Sequence, residues 1–211
     1  MSTKPSQSSA VPAGKYADTL PGVDELFRAR WSPRSFSSRE VSEEDLAAIL
    51  DAARWAASSY NEQPWRFVVA TKADPAAYDA LLSILVPFNQ DWAKSAPVLI
   101  LTAALKNFSH NGKPNHHALH DTGAALAHMM LQATALGMQA HAMAGFDHAK
   151  AYATLGIPAE IDLGAAVAIG YLASPDLLPN DQMKQQELAA RARKPLSELA
   201  FDGRWGRPLV K

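Results

Sequence analysis

Between residues 116 and 136 the chain is apolar almost all the way round a helical wheel once Asp121 is passed, and it is rich in Ala and Met. A helix of that kind is stable only when it is covered on every side. The stretch is predicted to be a central buried helix closed by Gly137, with small side chains that let neighbouring elements approach closely. Enclosing it takes material, and 48% of the 211 residues are hydrophobic, ample for the core of a single domain.

The flanking sequence supplies the layers. Val23, Leu26 and Phe27 recur at helical spacing, and the helix should end near Arg30 because Pro33 disfavours helix at the residue before it. Ser42 opens the next helix, with Glu43, Glu44 and Asp45 in its first turn and an apolar stripe of Leu46, Ile49, Leu50, Ala53 and Ala57. Strands are predicted over 65–71, 97–104, 138–144 and 165–172. Short helices should follow Pro75 and Asp147, the second ending near Gly156, and a charged helix should cover 182–192. Neither an internal repeat nor a domain-sized linker interrupts this order, so residues 23–211 are expected to form one α/β or α+β domain.

Residues 1–22 are rich in Ser and Pro and lack an apolar signal-peptide core, which points to a flexible N-terminal arm able to wrap a partner subunit. They read as neither a secretion signal nor a membrane anchor, and a cytoplasmic protein is expected. Charge gives no sign of a nucleic-acid partner: 20 Lys and Arg stand against 21 Asp and Glu. The chain contains no Cys. That excludes disulfides, thiolate catalysis and Cys-ligated iron–sulfur clusters, so any redox chemistry has to come from a non-covalently held cofactor.

Two loops carry candidate binding groups. Ser58-Ser59-Tyr60-Asn61-Glu62-Gln63-Pro64-Trp65 joins a helix to a strand through a row of donors and acceptors suited to the edge of a planar heteroaromatic ligand, and Pro64 stiffens its exit. Arg30-Trp31-Ser32-Pro33-Arg34 brings two guanidinium groups and a hydroxyl onto one turn, a pattern that suits a phosphate. A reading from another class starts from His110, His116, His117 and His120. His116 and His120 share a helix face with Asp121 adjacent, as a metal-dependent hydrolase would need.

The two loops do not stand alone. Arg-x-Ser-x-Arg near the N-terminus, Ala-Ala-Ser-Ser-Tyr-Asn-Glu-Gln-Pro-Trp, Asn89 in Asn-x-x-Trp-x-x-x-Ala-Pro, Gly145-Phe146-Asp147 and the terminal Gly-Arg-Trp-Gly occur in this order from residue 28 to residue 207. Together they resemble the FMN-dependent nitroreductase family. The resemblance implies an α+β fold with a central mixed sheet flanked by helices, in an intertwined homodimer that binds FMN at the subunit interface. It also implies ping-pong chemistry, with NAD(P)H reducing the flavin and a nitroaromatic or quinone-like acceptor taking the electrons. No G-x-G-x-x-G follows a predicted strand, so donor and acceptor would share one site.

By the same resemblance Arg30, Ser32 and Arg204 would hold the FMN phosphate, Trp31 would offer its backbone, and Arg34 would lie near the pyrimidine edge of the ring. Ser58, Ser59, Tyr60 and Asn61 would line the cofactor across the interface, Asn89 would bond the ring, and Ala144 and Gly145 would present backbone groups to its reactive edge. No catalytic side chain and no metal is implied, since the flavin supplies the chemistry. The chain departs from the family pattern at Ala57, where Pro is frequent, and at Ala144, where some members carry Glu. A non-catalytic flavin-binding protein is the remaining alternative.

Overall fold

The computed structural model describes residues 11–210; positions 1–10 of the expected arm lie outside the described residues. In chain order the elements are α1 (Glu25–Ala29), α2 (Glu43–Arg54), β1 (Trp65–Thr71), α3 (Pro75–Ile84), α4 (Pro87–Ala93), β2 (Val98–Leu105), α5 (Ala118–Ala135), β3 (Gln139–Met143), α6 (His148–Leu155), β4 (Ile161–Gly170) and α7 (Asp181–Leu188). Five of the helices start where a short polar side chain takes up a free N–H. Ser42 accepts from Asp45 N at 3.0 Å and Asp147 from Lys150 N at 2.9 Å, and Asp24, Asp74 and Asn180 do the same for α1, α3 and α7. At the other end of α6, Gly156 takes the left-handed conformation that closes the helix.

The strands form one sheet in the order β1-β2-β4-β3, and every neighbouring pair is antiparallel. This corrects the expected mixed sheet. β2 and β3 do run parallel, joined by the long α5 as a crossover, but β4 inserts between them and pairs with both. Along β2 the side chains alternate between two cores. Leu99, Leu101 and Ala103 face α3, α4 and α6, whereas Val98 and Ile100 face α2 and α5. A fully buried Leu or Ile contributes about 1.5–3 kcal/mol, so this strand anchors both layers.

Two further expectations change. α5 buries Ala118, Asp121, Thr122, Ala125, Met129 and Ala133 against the sheet and α2, but its other face is open: Leu119 is 47% exposed, and Gly123 and Ala127 are exposed too. One chain covers only one side of this helix. The part of the arm from Pro12 to Ala17 is docked, with Lys15 buried and Ala17 N donating to Arg28 O at 3.0 Å. Asn89 lies on α4, a short helix with Pro87 in its first turn. Among the described residues no helix is long and apolar enough to cross a membrane.

Candidate active site

The turn after α1 makes few hydrogen bonds of its own and is held from outside. Trp31 N donates to Gln139 Oε1 at 3.1 Å, and Gln139 returns a bond from Nε2 to Ala29 O. His141 Nδ1 lies 2.8 Å from Pro33 O; a carbonyl only accepts, so Nδ1 carries the proton. Glu187 on α7 accepts from Arg34 N at 2.9 Å and from Ser35 N at 3.2 Å. Two side chains of β3 and one of α7 thus fix the backbone of residues 30–35.

Of these braces Gln139 and Glu187 are buried and His141 is half-buried. His141 packs on the Trp92 ring with centroids 4.6 Å apart, and burial pushes its pKa from 6.5 down to about 4, with the charges of Arg34 and Arg30 acting in the same direction and the bond to Pro33 opposing. Glu187 is 3% exposed. Burial raises its pKa, while the N–H groups of Arg34 and Ser35 and the charge of Lys15 pull it back.

Around this turn lies a cavity of about 230 Å³ lined by Lys15, Arg30, Trp31, Ser32, Arg34, Glu187, Arg191 and Arg193. Arg30 Nη1 donates to Ser32 Oγ at 3.2 Å. Burial and the neighbouring Arg191 and Arg193 all lower the Arg30 pKa, so the apo site holds like charges at a cost. Among the described residues no carboxylate forms an ion pair with Arg30, Arg34, Arg191 or Arg193. The one acid in the wall, Glu187, spends its oxygens on backbone N–H groups. One buried and three half-buried cations beside the exposed Arg193, with no carboxylate paired to any of the arginines, suit an anion.

Arg30, Trp31, Ser32 and Arg34 all line this cavity, and the Trp31 backbone donor is taken by Gln139. Arg204 does not join them within its own chain. It sits on an exposed turn closed by Asp202 N to Arg207 O at 2.7 Å and by the Arg207–Asp202 ion pair, and the cations that share the cavity with Arg30 are Arg191, Arg193 and Lys15. The run Arg191-Ala-Arg193-Lys194 before Pro195 was the available signal for two of them. Gln139, His141 and Glu187 carried no such signal, because their partners lie more than a hundred residues away.

Arg34 links this cavity to α4, its guanidinium standing 6.0 Å from the Phe88 ring centroid. The next residue, Asn89, donates from Nδ2 to Gly145 O at 3.0 Å, and Val86 N donates to the same carbonyl at 3.1 Å. The Gly145 carbonyl is thus engaged within the chain, whereas Asn89 keeps its side-chain oxygen as an acceptor and Ala144 is exposed. A Cβ on Gly145 would stand 2.7 Å from Asn89 Nδ2 and 3.0 Å from Val86 Cγ2. Gly145→Ala is expected to push Asn89 aside and to destabilise the protein by about 1–3 kcal/mol in chemical denaturation.

The loop from Ser58 forms a separate wall. Tyr60, Asn61 and Gln63 all adopt positive φ, at 55°, 54° and 53°. For non-glycine residues this costs roughly 1–2 kcal/mol each. The conformation is imposed by neighbours: Ser59 N donates to Asp121 Oδ2 at 2.9 Å and Gln63 N to Ser58 Oγ at 3.0 Å. Tyr60 is 83% exposed, beside Phe108 and His110, and none of Ser58, Ser59, Tyr60 and Asn61 lines the cation cavity of its own chain.

The His constellation disperses. His110 packs at a tilt against Phe108 and lies 3.8 Å from Glu62, while His120 bonds Asp121 at 2.9 Å. Among the described residues no three His, Asp or Glu side chains gather as metal ligands, so the hydrolase reading loses its ligand set.

Comparison with known proteins places this geometry. The Nitroreductase family model matches residues 27–171, and the chain belongs to that family, whose members are oxidoreductases. It is similar to a crystal structure described as an oxidoreductase containing FMN, with 38% identity, 92% of this chain and 98% of that one covered, and a TM-score of 0.86. A nitroreductase family protein from Clostridium difficile is 26% identical over 85% of this chain and 96% of its own, with a TM-score of 0.65. A protein of Thermus thermophilus named NADH dehydrogenase is 31% identical over 72% of this chain and 89% of its own length.

Proposed function

We propose that the protein is a cytoplasmic, homodimeric, FMN-dependent oxidoreductase that takes electrons from NADH or NADPH and passes them to nitroaromatic or quinone-like acceptors in a ping-pong cycle. The observation that carries this reading is a cavity of five cations in which, among the described residues, no carboxylate is ion-paired with an arginine, in a chain similar to an FMN-containing oxidoreductase. The residues present fit the phosphate end of FMN: Arg30, Arg191 and Arg193 supply charge, and Ser32 a hydroxyl.

Bound FMN would supply hydride acceptance and electron delivery. The chain's own groups have other tasks. Arg34, between the cavity and α4, provides positive charge where a reduced ring would gain negative charge, and Asn89 provides an acceptor at the far end of the same surface. Gln139, His141 and Glu187 keep the turn in place, so little reorganisation accompanies loading.

Dimerisation is part of the proposal on two grounds. About 230 Å³ is below the roughly 300–1,000 Å³ of complete ligand pockets, so the cavity takes the phosphate end and another surface must cover the ring. The open face of α5 and the exposed Phe27, Trp55, Leu196, Leu199 and Trp205 leave apolar side chains that a second copy would cover. The strained Ser58–Asn61 loop would then serve the partner's cofactor.

The deciding experiment is an anaerobic titration of purified protein. A yellow dimer by light scattering, bleached by NADH or NADPH and restored by a nitroarene with parallel initial-velocity lines, is expected. A colourless protein that takes up no FMN defeats the proposal, and flavin that is not bleached by either nucleotide turns it into a non-catalytic flavin carrier.

A further inference from the structure

The family match begins at residue 27, yet part of the cation cavity is built from upstream of it. Lys15 is only 5% exposed and lines the cavity, with its ammonium 4.7 Å above the Trp31 ring and donating to Ala189 O at 2.5 Å. Its carbonyl accepts Arg191 Nη1 at 2.8 Å, and the same nitrogen reaches Arg28 O at 2.8 Å. The segment is held by Ala17, whose N–H and carbonyl both bond Arg28. One upstream residue thus adds a cation and also aims a second one.

We propose that the segment upstream of the family match completes the wall of the anion site through Lys15, which binds the phosphate of the cofactor through its ammonium and orients Arg191 through its carbonyl. The proposal rests on the FMN reading above. An ammonium has three donors, and Ala189 O takes one, leaving two for a ligand oxygen. The acid in the same wall cannot serve as its partner by contact: Glu187 forms no ion pair with Lys15 within 4.0 Å and is bonded to Arg34 and Ser35. A buried ammonium without a carboxylate at contact distance is stabilised by a bound dianion, and the site then selects the phosphorylated flavin over its dephosphorylated form.

The test compares Lys15→Met, which keeps the apolar stem over Trp31, with Lys15→Arg, which keeps the charge. Apoprotein is titrated with FMN and with riboflavin by fluorescence, and thermal shift is read against inorganic phosphate. Lys15→Met is expected to weaken FMN by about tenfold or more with riboflavin affinity unchanged, and Lys15→Arg to restore most of the loss. Equal loss for both flavins, or no loss for FMN, overturns the proposal. Should the wild type bind no FMN but show a phosphate stabilisation that Lys15→Met abolishes, the FMN reading fails and the anion wall stands; a phosphate effect independent of Lys15 removes the wall.

Discussion

Arg30→Ala and Arg191→Ala are each expected to weaken FMN binding by about ten- to a hundredfold, whereas Arg204→Ala leaves it nearly unchanged. Each of the first two removes a charged donor from the cavity, and a hydrogen bond to a charged group contributes about 1.5–3 kcal/mol. Arg204 lies on an exposed turn outside that cavity. The apoprotein itself should tolerate Arg191→Ala, because the loss of two bonds to Lys15 O and Arg28 O is offset by relief of the repulsion felt by Arg30. Thermal unfolding with and without FMN separates these effects. The melting temperature without FMN should move little, and the rise on adding FMN should shrink as affinity falls. An Arg204→Ala protein that loses FMN while Arg191→Ala retains it would mean that the phosphate is held at the C-terminal turn.

The contrast between Arg191 and Arg204 shows what a one-dimensional reading can reach. Helices and strands with a clear period were legible: α2 from its Ser42 cap, β1 at its bounds Trp65–Thr71, and α6 from Asp147 to Gly156. The seven-residue α4 was not, since it is too short to show a period and its Pro87 is as common in loops. Strand periodicity also says nothing of order, so the insertion of β4 between β2 and β3 escaped it. At the site, the turn with Arg30, Ser32 and Arg34 was visible because its residues are adjacent. Its supports were not. Gln139 and His141 read as polar interruptions of an apolar strand, and Glu187 as one charge among many on a solvated helix. Their roles exist only after tertiary folding has brought β3 and α7 against the turn.

His141 gives the second large effect, on stability against pH. Its folded pKa is lowered to about 4 from 6.5, chiefly by burial. Between those values the unfolded chain binds a proton that the folded chain refuses, so stability rises with pH through this window. The stabilisation is complete above about pH 6.5, falls as the pH drops and is lost below about pH 4, a change of about 3 kcal/mol. Glu187, with its raised pKa, acts in the opposite direction as pH climbs from the ordinary carboxylate range, so the absolute profile mixes the two. His141→Asn isolates the histidine, since an amide can still donate to Pro33 O but does not titrate. Urea unfolding at several pH values should show the wild type losing about 3 kcal/mol more than this variant between pH 6.5 and 4. Parallel profiles would show that the imidazole is not shielded as its packing against Trp92 implies. Loading the cavity with a phosphate should narrow the difference, because negative charge beside Arg30 and Arg34 offsets the two cations that help keep His141 neutral.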